Sequence, residues 1–455
     1  MDINPRIFKT YDIRGKVGEE LTAHDAMYIG RAFGTYIKRQ YRQDRVLVGY
    51  DMRTSSDDLR SMLTSGLQTA GVDTYDIGMV STPVLYWAAL RMGVAGIMIT
   101  ASHLGKEYNG FKMVVGRRVI YGEEIQTLRA IIEDDDFESA PANAYKYLDV
   151  SQNYLSYLGS AYRFTPKLKI VVDAGNGMGG PYAPIVLRRM GHEVIELYCE
   201  PDGTFPNHHP NPEKAANVAE LAAKVREVGA DIGLAFDGDA DRVGVVDENG
   251  ELISADKIMA WLATDIIPRN GGGIFVGDVL SSQAVFDVVK KYGGTPILWQ
   301  SGHARIKDKM QREGAVLGGE SSGHMFFADR YFGFDDGIYA AARIVELLAE
   351  RGKPLSTQVA ELPHLFTTPE YRPYCPEERK SAVIAGVKER IGNLPCVDVD
   401  GLRVIFPNGW GLLRPSGTEP VLSLRFEAYT EAEALAYKEQ LVAWLREVYP
   451  EVENF

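Results

Sequence analysis

Asp237, Asp239 and Asp241 alternate with the small residues Gly238 and Ala240. That spacing can bring three carboxylates to one side of an extended loop. Left close together without a cation, they would repel one another. Hard oxygen donors in this number suit Mg²⁺ or Ca²⁺ and disfavour soft metals. An EF-hand is the rival, since Glu248 falls at the last ligand position of such a loop. It fails because Arg242 stands where a glycine is required, and strands rather than helices flank the motif. A solvated acidic turn is the plain alternative; the apolar Ile232–Phe236 before it and Val243–Val246 after it argue against that reading.

A second group is Thr100-Ala101-Ser102-His103, at the end of the apolar run Val94–Ile99. A hydroxyl presented at the carboxyl end of a strand lies where open α/β sheets bind ligands. Neighbours on an extended chain point to opposite sides, so His103 is poorly placed as a base for Ser102. By itself Ser102 reads as a turn or N-cap serine. Lys112 follows on an expected returning strand and can face the same site. A third group, Gly319-Glu320-Ser321-Ser322-Gly323-His324, combines glycines with groups that accept and donate hydrogen bonds, as a polyol requires. His303 in Ser301-Gly302-His303 can reach the same place, whereas His208-His209 reads as structural. Arg14, and Arg414 with Ser416, Gly417 and Thr418, are candidate anion contacts; surface ion pairs are the alternative for either arginine.

These groups sit on a repeat. Three times a short apolar strand ends in aspartate, at Val46–Asp51, Ile170–Asp173 and Ile274–Asp278. Each time a helix-length segment and a second strand follow, at Asp73–Ile77, Glu193–Tyr198 and Pro296–Trp299. A further helical segment and a third strand come next, at Val94–Ile99, Ile232–Phe236 and Ala315–Leu317. Each third strand runs into one of the three motifs. The alternation predicts βαβ units in largely parallel sheets, with three similar domains facing a shared cleft. The end of the chain differs: strands are expected over Val397–Val404 and Leu422–Phe426, and a helix over Glu431–Val448. The expected boundaries give domains 1–147, 148–249, 250–364 and 365–455.

Gly175-Asn176-Gly177-Met178-Gly179-Gly180 matches the dinucleotide fingerprint, with Glu200 at a suitable distance. Glu200 lies in a turn rather than ending a strand, so a tight turn before a helix at Pro181 is the better reading. The 455 residues exceed one compact domain, and the formal charge of -13 argues against general nucleic-acid binding. Cys199, Cys375 and Cys396 lie far apart, which suggests neither disulfides nor a zinc site. Met1–Gly15 lacks an apolar leader core, and no apolar run reaches membrane-spanning length. A cytoplasmic protein without membrane association is expected.

Taken together, Tyr11-Asp12-Ile13-Arg14-Gly15, Thr100–His103 with Tyr108–Lys112, Asp237–Arg242, Gly319–His324 and Arg414–Thr418 resemble, in order, the motifs of the α-D-phosphohexomutase family. Phe326-Phe327 and Tyr331–Gly337 look most like its phosphomannomutase/phosphoglucomutase branch. The resemblance implies an α/β fold of three related α/β domains with mixed, largely parallel sheets, plus a smaller α+β C-terminal domain, around a central cleft. It implies a hexose 1-phosphate/6-phosphate mutase with a phosphoserine at Ser102, Mg²⁺ held by Ser102, Asp237, Asp239 and Asp241, and a hexose 1,6-bisphosphate intermediate and activator. Arg14, His103, Lys112, Arg242 and His303 would then join Ser102 in catalysis. Tyr11, Glu320, Ser322, His324, Arg414, Ser416, Gly417 and Thr418 would bind the phosphosugar. A monomer or homodimer is expected. The close alternative is a phosphoglucosamine mutase; a metal-dependent sugar phosphatase and a silent phosphosugar-binding protein are alternatives of other classes. Two departures stand out: Leu104-Gly105 where the family usually has Asn-Pro, and Leu280 where many members have lysine.

Overall fold

The computed structural model describes residues 3–141, 144–160, 162, 166–416 and 420–452. The chain divides into two compact units, Met1–Ala255 with Ser322–Gln358, and Asp256–Ser321 with Val359–Phe455. No helix among the described residues is long and apolar enough to cross a membrane.

The first unit contains two sheets. One is built from β1 (Ile13–Lys16), β2 (Arg45–Tyr50), β3 (Asp73–Met79), β4 (Ala95–Ile99), β5 (Tyr108–Val115), β6 (Arg118–Val119) and β7 (Tyr145–Tyr147), in the order β1-β5-β4-β2-β3-β7 with β6 on β5. The other is built from β8 (Lys169–Asp173), β9 (Glu193–Leu197), β10 (Ile232–Phe236), β11 (Val243–Asp247) and β12 (Leu252–Ile253), in the order β12-β11-β10-β8-β9. In the second unit β13 (Ile274–Asp278) lies between β14 (Thr295–Trp299) and β15 (Leu317–Gly319).

The three repeats therefore share one arrangement: the first strand is central, with the second on one side and the third on the other, all parallel. β5 and β11 then return antiparallel beside β4 and β10, which makes both sheets mixed. Continuous apolar runs such as Val46–Val48 and Ile232–Ala235 are buried along their length, as strands of a sheet covered on both faces require. The last part of the chain carries β17 (Phe366–Thr367, after β16 at Met325–Phe327), β18 (Cys396–Val397), β19 (Leu402–Phe406), β20 (Gly409–Pro415) and β21 (Leu422–Ala428) in one antiparallel sheet. The helix Glu431–Val448 packs on it through Leu441 and Leu445.

Helix α1 (Ala23–Tyr41) begins with a reciprocal cap between Thr22 and Asp25 and buries Ile29, Phe33 and Ile37. It packs on α2 (Ser56–Thr69), which contributes Leu59, Leu63 and Leu67 to the same core. Helix α3 (Thr82–Met92) starts with proline at its second position, and it is buried over most of its length.

Two strand expectations need correction. The third strand of the third repeat is Leu317–Gly319, because the glycines continue the extended pairing with β13 beyond the last apolar residue. The single strand expected over Val397–Val404 is two, separated at Asp398–Gly401, where Gly401 has φ 85°. Arg414, the first of the candidate anion contacts near the end of the chain, lies in the last part of β20.

Candidate active site

The motifs at the ends of β4 and β10 meet in the first unit. Ser102 is 3% exposed, and its Oγ donates to Asp237 Oδ2 over 2.6 Å. Asp237, Asp239 and Asp241 are wholly buried, and one oxygen from each lies within 4.8 Å of the others. The approach of the two loops requires Gly238: a Cβ there would stand 2.4 Å from the Ser102 carbonyl oxygen.

Lys112 Nζ, itself buried, donates to Asp239 Oδ2 at 2.6 Å and Asp241 Oδ2 at 2.5 Å. Its position follows from β5, whose Lys112 pairs with Met98 on β4. Arg242 supplies its backbone N–H to Asp237 Oδ1 and its Nε to Asp237 Oδ2, and pairs through Nη1 with Glu213. After these contacts, Asp239 Oδ1 and Asp241 Oδ1 remain buried with no hydrogen-bond partner among the described residues. Buried anionic oxygens in that state call for a cation. Burial, then the charges of Asp241 and Asp239, push the Asp237 carboxyl up to about 8. Burial opposes ionisation of Asp241 as well, but the Lys112 and His324 charges hold it well below the usual carboxylate range. Burial likewise opposes the charge on Lys112, and the two carboxylates override it. The donor set, three oxygen-only carboxylates and a hydroxyl, fits a hard divalent ion.

The expectation that His103 points away from Ser102 is corrected. Ser102 has φ 50°, so the chain turns there instead of running extended, and His103 Nδ1 lies 3.3 Å from Ser102 Oγ. Burial, reinforced by the Arg242 and Arg14 charges, holds His103 well below its ordinary range. Arg14, on β1, pairs with Asp12, and Tyr11 lies half-buried just before that strand. His324 pairs its backbone with that of Arg242; its Nδ1 lies 3.3 Å from Asp335 Oδ2 and 3.8 Å from Asp241 Oδ1. Asp241, His324 and Asp335 thus form a second group of ligand type sharing one carboxylate with the first. The Ser322 carbonyl lies 3.4 Å from Arg242 Nη1.

The remaining candidates belong to the second unit. Glu320 Oε1 accepts the Gly302 N–H at 2.6 Å, beside the buried His303 that opens the helix His303–Glu313. Asp400 accepts from the Ser301 N–H and from Arg414, which joins the two loops. The Ser416 carbonyl accepts from Lys380. Gly417 and Thr418 lie outside the described residues. Leu280 packs with Val279, Trp410 and Leu412, an apolar setting that accounts for its side chain.

Sequence reasoning passed over the residues that hold these loops. Thr82, the first residue of α3, donates from Oγ1 to Asp239 Oδ2 at 2.5 Å and from its N–H to the Asp239 carbonyl. The aspartates that end the first strands anchor loops. Asp51 accepts from Arg53, Ser56 and Thr100; Asp173 accepts from Gly175 and His208; Asp278 accepts from Ser281 and Ser301. The recurrence of aspartate at one place in each repeat was the available signal. The glycine-rich run after β8 packs against the metal-type loop, with the Met178 N–H donating to the Gly238 carbonyl, and the Asn176 side chain bonds the Glu200 backbone. That use is the tight turn expected there, and the helix that follows it begins at Ala183 rather than at Pro181.

Comparison with known proteins gives matches to four successive family models along the chain. Models described as phosphoglucomutase/phosphomannomutase alpha/beta/alpha domains I, II and III and C-terminal domain match residues 5–139, 147–250, 254–366 and 373–443. A phosphomannomutase/phosphoglucomutase of Pseudomonas aeruginosa is 44% identical over 430 residues, covering 94% of this chain and 92% of that protein. A phosphoglucomutase of Neisseria meningitidis is 42% identical over 432 residues, covering 94% of each. The crystal structure of a phosphoglucomutase/phosphomannomutase family protein from Burkholderia thailandensis superimposes with a TM-score of 0.94 at 39% identity, covering 99% of both chains. The repeated sheets, the serine on its carboxylate and these matches along the whole length make one case: the chain belongs to the phosphoglucomutase/phosphomannomutase family.

Proposed function

We propose that this protein is a phosphohexose mutase that interconverts the 1- and 6-phosphates of mannose, glucose or both, through a phosphoserine at Ser102 and a hexose 1,6-bisphosphate. The observation that carries the reading is the Ser102 hydroxyl on Asp237, beside two buried carboxylate oxygens with no hydrogen-bond partner among the described residues. Ser102, Asp237, Asp239 and Asp241 are the residues to hold Mg²⁺, which when bound neutralises phosphoryl charge and polarises phosphorus. The segments 1–147, 148–249, 250–364 and 365–455 carry the serine, metal, sugar and phosphate loops in turn.

In the forward half-reaction the P–O bond to Ser102 Oγ breaks, and a bond forms from phosphorus to the free hydroxyl of the bound sugar phosphate. The hydroxyl proton passes to a neighbouring base, and Ser102 Oγ, which keeps the electron pair of the broken bond, takes one proton from a neighbouring acid and leaves as the serine hydroxyl. The reverse half-reaction, from the other end of the bisphosphate, restores the phosphoserine. Lys112 and Arg242 oppose the charge on the transferring group; His103, His303 and Arg14 serve acid–base and charge roles. Tyr11, Glu320, Ser322 and His324 bind the sugar, and Arg414, Ser416, Gly417 and Thr418 its distal phosphate. A positioned acid or base contributes about two to four decades of rate.

The test supplies Mg²⁺, a trace of glucose 1,6-bisphosphate and, separately, mannose, glucose and glucosamine 1-phosphates. Conversion to 6-phosphates is expected with the first two, with loss in Ser102→Ala and on chelation, and a phosphoserine at Ser102 detectable by mass. Turnover of the amino sugar alone would assign a phosphoglucosamine mutase. Free phosphate as the main product would assign a phosphatase, and binding without turnover a silent protein.

A further inference from the structure

The Ser102 loop, residues 102–108, contains no proline and carries Gly105, so nothing in its own sequence restricts it. Ser102 nevertheless stands at φ 50°, a conformation that side-chain-bearing residues seldom adopt. Its neighbours must impose the shape.

Arg53 supplies the constraint. Its side chain is wholly buried, and all five of its N–H groups are used. Nη2 donates to the carbonyls of Ser102 at 2.8 Å and Leu104 at 2.7 Å. Nη1 donates to the carbonyls of Gly105 at 2.6 Å and Tyr108 at 3.0 Å. Nε donates to Asp51 Oδ2 at 3.1 Å, and Asp51 in turn holds Thr100, whose hydroxyl accepts the Ser102 N–H. Four carbonyls of one short loop thus converge on one planar cation.

The cation is itself held from the next repeat. The Phe205 ring covers it, with Cζ 5.1 Å from the centroid. Gly203 lies against the backbone of residues 52–54, where a Cβ would stand 2.3 Å from the Met52 carbonyl oxygen.

We propose that Arg53 is the positioning residue for the reaction: by binding the Ser102, Leu104, Gly105 and Tyr108 carbonyls it sets the Ser102 loop in the shape that aims Oγ at Asp237. This rests on the phosphoserine reading above and deepens it. Lysine cannot take the place, because three donors on a single nitrogen do not span four carbonyls arranged for a planar fork. Arg53 touches neither Oγ nor the carboxylates of the triad, so its loss acts on the rate of transfer and leaves sugar affinity in place.

The test is Arg53→Lys with glucose 1-phosphate and glucose 1,6-bisphosphate. A misplacement of about 1 Å costs on the order of a hundredfold in rate, so kcat and the rate of Ser102 phosphorylation should fall by about that factor with KM nearly unchanged. Amide hydrogen exchange should accelerate within residues 102–108 and not elsewhere. A folded variant with wild-type kcat and unchanged exchange in that loop would overturn the proposal, as would a rise in KM with kcat intact. If Arg53→Lys does not fold, Phe205→Leu, which removes only the ring over the cation, is expected to show the same pattern in smaller degree, and its absence would overturn the proposal equally. Failure of the mutase reading is seen separately, as a wild-type protein without turnover or phosphoserine. The exchange of residues 102–108 still decides whether Arg53 holds the loop, and unchanged exchange would overturn it.

Discussion

The Thr82 hydroxyl donates to Asp239 Oδ2 over 2.5 Å, which ties the first turn of α3 to a carboxylate of the metal-type loop. The contact leaves Asp239 Oδ1 buried with no hydrogen-bond partner among the described residues. A residue that orients a ligand in this way typically accounts for about 10–100-fold in metal affinity. Thr82→Val, nearly equal in volume, should weaken Mg²⁺ binding by about that factor, measured by titration calorimetry, while the far-ultraviolet circular dichroism stays unchanged.

Binding of the ion should also register as stability. A ligand at about 100 times its Kd adds about 2.7 kcal/mol to the folded state. Magnesium should therefore raise the wild-type melting temperature and chelator lower it. Asp239→Asn, which removes the charge of one of the two carboxylates that keep an oxygen without a hydrogen-bond partner among the described residues, should melt with little response to either.

Asp237 predicts a stability effect of opposite sign without metal. Its carboxyl is raised by burial and by the Asp241 and Asp239 charges to about 8. A carboxyl raised above its unfolded value withdraws stability as pH rises from about 4 through the folded value. With chelator present, Asp237→Asn should therefore melt at or above wild type at pH 8.5 and lose that advantage at pH 5, by scanning fluorimetry. Its phosphoserine formation should still fall by about 10²–10³, the scale of losing one preorganised electrostatic group.

His208 gives a second pH dependence. Burial lowers its affinity for a proton, but the Asp173 carboxylate, 3.1 Å from Nε2, outweighs this and raises it above the ordinary value. Its contribution is fully present below the unfolded value near 6.5 and lost as pH rises through the higher folded one. The melting-temperature deficit of His208→Gln should be larger at pH 6 than at pH 9.

In the second unit, Arg403 is buried over the Trp410 ring at 3.8 Å and donates to the Val279 and Ser281 carbonyls. Burial pushes it down to about 10. Arg403→Ala leaves both carbonyls and a cavity beneath them, and should cost about 3 kcal/mol or more by denaturant titration.

The repeats were readable from the chain because a buried parallel strand must be apolar along its length and must end where polar groups begin. Ile232–Phe236 running into Asp237 has both marks, and its bounds in the structure are those its composition implies. Glu431–Val448 was readable for the same kind of reason, its apolar residues recurring at helical spacing between a threonine cap and a tyrosine. Carboxylates at alternate positions likewise announce a site by their mutual repulsion. Strands of mixed polarity were harder: Gly318 and Gly319 pair as strand although glycine carries no strand signature, and Asp398–Gly401 breaks what composition alone leaves continuous.

Tertiary structure decided everything that joins residues far apart in sequence. No local pattern distinguishes Thr82 from an ordinary helix start, or Arg53 from a surface arginine; their roles exist only once Asp239 and the 102–108 carbonyls are brought to them. The relation of His103 to Ser102 was misjudged from the chain because it depends on one backbone dihedral, and that dihedral is imposed by neighbours rather than by the two residues concerned. Local sequence determines which groups are available and which segments can be buried. Which carboxylate meets the serine, and at what angle, is set by the packing of one repeat against the next.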